Sequence, residues 1–357
     1  MRIGVDAREL CGRSTGVGRY LAGLLREWSG SDAARRHEFV LYSTGDIGLT
    51  LDTRRFATRH VPGAGATLWE QLRLPAVAAR DHLDVFFAPG YSAPLRLKVP
   101  TVVAIHDLSF VAHPEWFRMR EGARRRFFCR RSAEHARAIV TISEFSRQEI
   151  VERLGAPPGK IHVIPPGIPR WAVPPAKRTP TVLYVGSIFN RRHVPDLIRR
   201  FAPIARRRVD SSLAIVGDNR SYPSQDVMQT ASAEGIAHQV RWHRYVPDVA
   251  LSQLYSTAMA FAFLSEYEGL GLTPLEALAA GVPPVLLDTP VARESCGSSA
   301  IYVPLHDSAA TTRALEAALF DEPTRQRLLS HADDVLGRFE WARAGRDTLA
   351  VLEASAP

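Results

Sequence analysis

The feature that most constrains this chain is an alternation that runs through both of its halves. Short apolar runs rich in Val and Ile take turns with longer stretches of helical spacing. In the first half the runs fall at residues 2–5, 38–42, 85–88, 101–105 and 138–142. In the second they fall at 181–185, 213–216, 240–242, 259–264 and 284–287. Helical spacing follows most of them, as at 17–28, 144–154, 195–205 and 274–280. A run that is apolar throughout predicts a strand buried on both faces. Strands that alternate with helices predict a parallel sheet covered on both sides.

With 357 residues the chain exceeds one ordinary core and implies two domains. Between the halves lie Pro165-Pro166-Gly167-Ile168-Pro169, then Pro174-Pro175 and Pro180. These cannot sustain a helix or a central strand, so the boundary is expected near 166–180. Hydrophobic residues make up 46% and charged residues 23%, enough to bury a core in each half.

The net charge of +8 implies acidic partners: nucleotides, nucleic acid or an anionic membrane surface. The three cysteines, Cys11, Cys129 and Cys296, form no CxxC pair. They argue against a disulfide framework and a cysteine zinc site, and for a cytoplasmic setting. The start of the chain lacks the pattern of a signal peptide. No apolar run approaches the ~18 residues of a membrane span, so any membrane contact is expected to be peripheral.

The strongest chemical signal is Ser265-Glu266-Tyr267-Glu268-Gly269-Leu270-Gly271-Leu272-Thr273-Pro274-Leu275-Glu276-Ala277. It follows a predicted strand and leads into a predicted helix. Glycines in that turn let the backbone approach a ligand, and the helix start offers N–H groups to phosphate or sugar oxygens. Thr273-Pro274-Leu275-Glu276 also fits a capping box, with Thr at the N-cap and Glu at N3. Glu268 sits where open α/β sheets bind ligands, and a plain turn does not require an acid there.

Glu268 and Glu276, separated by seven residues around Gly-Leu-Gly-Leu, resemble the signature of the retaining GT-B glycosyltransferases of glycosyltransferase family 4. Ala277 through Pro283 and Tyr255 through Phe263 continue the resemblance. So do Gly16-Val17-Gly18-Arg19-Tyr20, Ile105-His106-Asp107-Leu108, and Tyr184-Val185-Gly186-Ser187 followed by Arg191-Arg192-His193. Their order and spacing cover nearly the whole chain. The resemblance implies an α/β fold of GT-B type, two Rossmann-like domains whose parallel sheets face a central cleft. The expected domains are 1–168 on the acceptor side and 177–338 for the nucleotide sugar. Residues 339–357 would form a closing helix that returns to the first domain.

It also implies roles for single residues. Glu268 would contact the donor sugar and Glu276 the nucleotide ribose. Backbone at Gly269, Gly271, Leu272 and Thr273 would meet sugar and phosphate. Ser187, Arg191 and Arg192 would hold the diphosphate, and Val246 would border the base. His106 would stabilise charge near the reacting carbon, and Gly16 and Gly18 would allow a close approach of the first-domain loop. The implied reaction retains anomeric configuration and needs no metal or cofactor; no Asp-x-Asp motif occurs. The Ile105–Leu108 segment and Pro114-Glu115-Trp116-Phe117 resemble mannosyltransferase-like members. GDP-mannose is therefore the first expectation for the donor and a UDP-sugar the second. The acceptor would be a glycan or a lipid-linked sugar. The alternative is an inactive nucleotide-sugar or polyanion-binding protein of the same fold.

Two other patterns carry less. Gly12-Arg13-Ser14-Thr15-Gly16 fits the G-x-S-x-G elbow of hydrolases but lacks an oxyanion motif beside it. The arginine clusters at 124–126, 130–131, 199–200 and 206–208 come with no nucleic-acid motif, so no nucleic-acid partner is expected. The segment 118–137 reads as a basic helix with aromatics, of a kind that lies on anionic membranes.

Overall fold

The computed structural model describes residues 1–12, 15–63, 65–169 and 176–357. Arg13 and Ser14 of the G-x-S-x-G match and the Pro174-Pro175 pair lie outside the described residues. The chain forms two compact units: Met1–Gly167 together with Phe339–Pro357, and Ile168–Arg338.

In the first unit the strands are β1 (Arg2–Asp6), β2 (Glu38–Ser43), β3 (Phe56–His60), β4 (Val85–Ala88), β5 (Thr101–Ala104), β6 (Ala138–Thr141) and β7 (Ile161–Val163). All pair in parallel, in the order β3-β2-β1-β4-β5-β6-β7. The second unit holds β8 (Thr179–Val185), β9 (Ser212–Val216), β10 (Val240–His243), β11 (Ala258–Phe263), β12 (Pro284–Leu287) and β13 (Ile301–Val303). These are also parallel, in the order β10-β9-β8-β11-β12-β13.

Each sheet therefore grows outward from its first strand, then resumes on that strand's other side. Connections leaving β1 and β4 diverge, as do those leaving β8 and β11. Such a switch point opens a crevice outside the carboxyl ends of the strands, where open α/β sheets bind ligands. The ten sequence runs all form strands. The three strands without an expected run, β3, β7 and β13, lie at sheet edges. In β3 only Phe56 is fully buried, and β7 and β13 are three residues each. An edge strand needs no continuous apolar run, because one side of it faces solvent.

The first unit's core is built around the helix Gly16–Gly30. Its Trp28 stacks on Phe39, which stacks on Phe56, at centroid distances of 5.2 and 4.7 Å. The Trp28 indole N–H donates to the carbonyl of Gly345, 2.9 Å away on the helix Trp341–Ser355. The two helices approach so closely that a Cβ on Gly23 would lie 2.2 Å from the Trp341 ring. We therefore expect Gly23→Ala to destabilise the protein by about 1–3 kcal/mol, since the Trp341 ring is packed against both Gly23 and Gly167 and has little room to yield. Gly30→Ala, whose added methyl meets nothing within 4 Å, serves as the matched control. Denaturant unfolding of both variants checks this; equal midpoints would show that the helix contact tolerates the methyl.

Candidate active site

The second unit's site begins where β8 and β9 end. Gly186 and Gly217 follow these strands at φ of +146° and +150°. A Cβ on Gly217 would lie 2.0 Å from the Gly186 carbonyl oxygen, and one on Gly186 would lie 2.8 Å from Arg192 Nη1. Only glycine fits either position. The turn that follows is fixed by the Ser187 carbonyl, which accepts from Tyr184 Oη at 3.1 Å and Arg192 Nη1 at 2.9 Å. Burial pushes the Tyr184 hydroxyl up to about 12, against the opposing pull of Arg192.

Next to β8, strand β11 ends in the Ser265–Glu268 turn. There Arg192 Nε and Nη2 donate to Glu268 Oε1 and Oε2 at 2.8 and 3.0 Å, a two-pronged pair. Ser265 Oγ donates to Glu268 Oε1 at 2.8 Å. The Arg192 side chain is 13% exposed and that of Glu268 18%. Burial opposes the Arg192 charge, but the adjacent Glu268 carboxylate outweighs it and raises the arginine's pKa. The guanidinium lies over Phe263 and Phe189, and that of Arg191 over Phe189 at 4.4 Å. Two further bonds join the same turns. Glu266 N donates to Arg191 O at 3.0 Å, and the His193 ring meets Glu266 Oε1 at 2.6 Å.

The helix Leu272–Ala279 begins two residues earlier than the capping box requires. Its N-cap is Gly271, in the left-handed region at φ 88°, and no side chain caps it. Thr273 and Pro274 therefore sit inside the first turn, and Glu276 is too far along to act as N3. The capping-box expectation is thus corrected. Glu276 is instead buried, 3% exposed, with Tyr255 Oη donating to its Oε2 at 3.1 Å. The uncapped N–H groups at Leu272 and Thr273 suit an anion. A small pocket beside them is lined by Phe263, Ser265, Glu268, Gly271, Pro274 and Ser295. Val246 lies further out, after β10, between an exposed Tyr245 and the helix Asp248–Thr257.

In the first unit, His106 follows β5 and is buried. Its Nε2 donates to the Pro89 carbonyl at 2.7 Å, and Tyr20 and Tyr91 meet its ring edge-on. Burial lowers its pKa, partly offset by the bond to Pro89 and by Asp107. Gly16 begins its helix with open space around it. A Cβ on Gly18 would lie 2.4 Å from the Glu9 carbonyl oxygen, so packing by itself requires a glycine there. Thr15 Oγ1 caps the helix through Gly18 N at 3.0 Å. A polar cluster beside these was not anticipated. Arg8 Nη2 lies 2.9 Å from Asp6 Oδ2 and 2.7 Å from Glu70 Oε1, and Ser92 Oγ donates to Glu70. Burial pushes the Asp6 carboxyl up to about 6, with Arg8 pulling the other way.

Most of the unanticipated pairings join residues remote in sequence. Tyr255 and Glu276, His193 and Glu266, Arg8 and Glu70 meet only through the sheet. Among the described residues no group of three or more His, Cys, Asp or Glu is arranged to hold a metal ion.

Two family models match the chain in series. Glycosyltransferase Family 4 covers residues 14–170, and Glycosyl transferases group 1 covers 169–334. The chain is 25% identical to the O-antigen chain mannosyltransferase B of Escherichia coli over 291 residues, 78% of this chain and 76% of that one. It is 26% identical to the D-inositol 3-phosphate glycosyltransferase of Nocardia farcinica over 332 residues, 84% of this chain and 72% of that one. In structure it is similar to HepE of Anabaena, solved with UDP-glucose, with a TM-score of 0.78. That likeness spans 99% of this chain and 100% of the other at 16% identity, and is one of fold.

Breaking a largely buried ion pair from one side leaves a charge uncompensated. We expect Arg192→Ala to cost about 3 kcal/mol of stability, with the Arg192→Ala/Glu268→Ala pair costing less than the two single changes together. Denaturant unfolding of the four proteins measures the coupling; strict additivity would show that the pair is not a unit.

Proposed function

Because this chain belongs to the GT-B glycosyltransferases of family 4, we propose that it moves a sugar from a nucleoside-diphosphate sugar to an acceptor hydroxyl, retaining the anomeric configuration. One observation carries this. At the switch point of the second sheet, the Ser187–His193 turn, the Ser265–Glu268 turn and an uncapped helix N-terminus converge.

The chemistry follows from that convergence. As the bond from sugar to diphosphate breaks, positive charge grows on the sugar ring and negative charge on the leaving phosphates. Arg191, Arg192 and the N–H groups at Leu272 and Thr273 face the negative charge, already placed before it develops. Donors fixed in advance in this way are often the largest catalytic term, worth about 3–4 kcal/mol each. Glu268 holds Arg192 and keeps acceptor capacity on its oxygens for sugar hydroxyls. Glu276, oriented by Tyr255, takes the ribose, and Val246 borders the base. In the first unit, His106 stabilises charge at the reacting carbon as a neutral ring, its Nε2–H tied to Pro89. No metal is assigned to the reaction.

The donor proposed first is GDP-mannose, supported by the named activity of the Escherichia coli relative; a UDP-sugar comes second, supported by the ligand of HepE. The acceptor is a glycan or a lipid-linked sugar. No helix among the described residues is long and apolar enough to cross a membrane. Peripheral contact with an anionic membrane is proposed for the helix Met119–His135. Its arginines surround Met119 and Phe127, which are 86% and 57% exposed.

Calorimetric titration with UDP, GDP, ADP and dTDP, without added metal, tests the donor site. We expect one nucleotide to bind selectively, and Glu276→Ala to weaken it at least about tenfold, the loss of a hydrogen bond to a charged group. If none binds to folded protein, catalysis gives way to a polyanion-binding role. For the membrane surface, anionic liposomes should sediment the protein better than neutral ones. Equal sedimentation would remove that part.

A further inference from the structure

His193 holds a backbone conformation that its side chain does not favour. It sits at φ 49° and ψ 37°, just before the helix Val194–Arg207. Among the described residues only His82 and Tyr91 share a positive φ without being glycine. Gly or Asn adopts this region with less strain. A strained backbone at the edge of a binding site persists where the surroundings hold it.

The surroundings here are two carboxylates on opposite sides of the ring. Nδ1 meets Asp196 Oδ2 at 3.0 Å, and Nε2 meets Glu266 Oε1 at 2.6 Å. A ring with hydrogen on both nitrogens donates to both. Asp196 belongs to the first turn of the helix and is also held by Arg199 Nη1 at 2.8 Å, so it is a fixed anchor. Glu266 belongs to the turn after β11. Three successive residues thus grip that turn. Arg191 does so with its carbonyl, Arg192 with its guanidinium and His193 with its ring.

We propose that His193 is a positioning residue: its ring braces the Ser265–Glu268 turn against the phosphate-binding turn, so that groups for the donor's sugar and diphosphate are in register before the donor arrives. This deepens the donor site proposed above and rests on it. The ring touches neither sugar nor phosphate. It acts through Glu266, and with Glu266 it keeps Glu268 opposite Arg192. Without the brace the Ser265–Glu268 turn loses its side-chain tie at Glu266, and nucleotide binding must order it.

His193→Gly separates the two possible reasons for the residue. It relaxes the left-handed backbone and removes the ring, whereas His193→Ala removes the ring and leaves the backbone strained. UDP, GDP, ADP and dTDP are titrated into wild type, His193→Gly, His193→Ala, Glu266→Ala and the His193→Gly/Glu266→Ala double variant, with thermal melts to verify folding. We expect His193→Gly and Glu266→Ala each to weaken the bound nucleotide about tenfold. The double variant should be no more than about twofold weaker than the weaker single one, because both remove the same bond. Wild-type affinity in His193→Gly would overturn the proposal and leave only a backbone requirement. Additive losses would overturn it too. Should His193→Gly fail to fold, Glu266→Ala decides alone, and unchanged affinity there counts against the brace. If wild type binds none of the four, the donor site itself falls, and the brace with it.

Discussion

The second unit's chemistry depends on β8 lying beside β11. The two strands are far apart in the chain, yet their parallel pairing brings their carboxyl ends together. Arg192 and Glu268, 76 residues apart, then share two hydrogen bonds. Moving a guanidinium and a carboxylate out of water is costly, and the attraction between them does little more than offset that cost. The pair is therefore better understood as geometry than as stability. It fixes a cation where the switch point opens; the absence of a side chain at Gly186 leaves room for it, and that at Gly217 leaves room for the Gly186 backbone. The helix that starts at Gly271 adds its own partial positive charge to the same place.

How much of this was legible in the sequence follows from the range of each interaction. Interior strands announce themselves, since burial on both faces demands apolar residues at every position. Edge strands such as Phe56–His60 do not, because half of their side chains face water. The glycines and acids of residues 265–277 pointed to the site, as local motifs can. The same stretch also misled. Thr273-Pro274-Leu275-Glu276 has the grammar of a cap, yet Gly271 enters the left-handed region and starts the helix early. A glycine's conformational freedom is invisible to pattern matching. His193 stands within the Arg191-Arg192-His193 motif, yet nothing in that motif points to its role, because Glu266 lies 73 residues away. Nothing local marks such a partner.

The first unit teaches a related lesson about glycines near a binding edge. Gly18 invites the thought of a ligand coming close, but the nearby backbone of Glu9 already requires a glycine there. The residues that do gather charge at this edge are Asp6, Arg8 and Glu70, two acids sharing one arginine. The arginine also donates to the Ala66 carbonyl, tying the turn after β1 to the segment that precedes β4. The edge is held by ionic bonds at loop level, much as the second unit's edge is held by Arg192.

The return of Phe339–Pro357 to the first unit has a consequence for the order of synthesis. The first unit's strands are all translated before residue 168, but its core is not complete at that point. Trp28 still lacks the Gly345 carbonyl, and the groove at Gly23 still lacks Trp341. The second unit, contiguous in the chain, has all of its residues once Arg338 is made, before the first unit has its last helix. On the ribosome the unit that starts first would therefore finish last, with a tryptophan-lined face open to the chaperones that attend nascent chains.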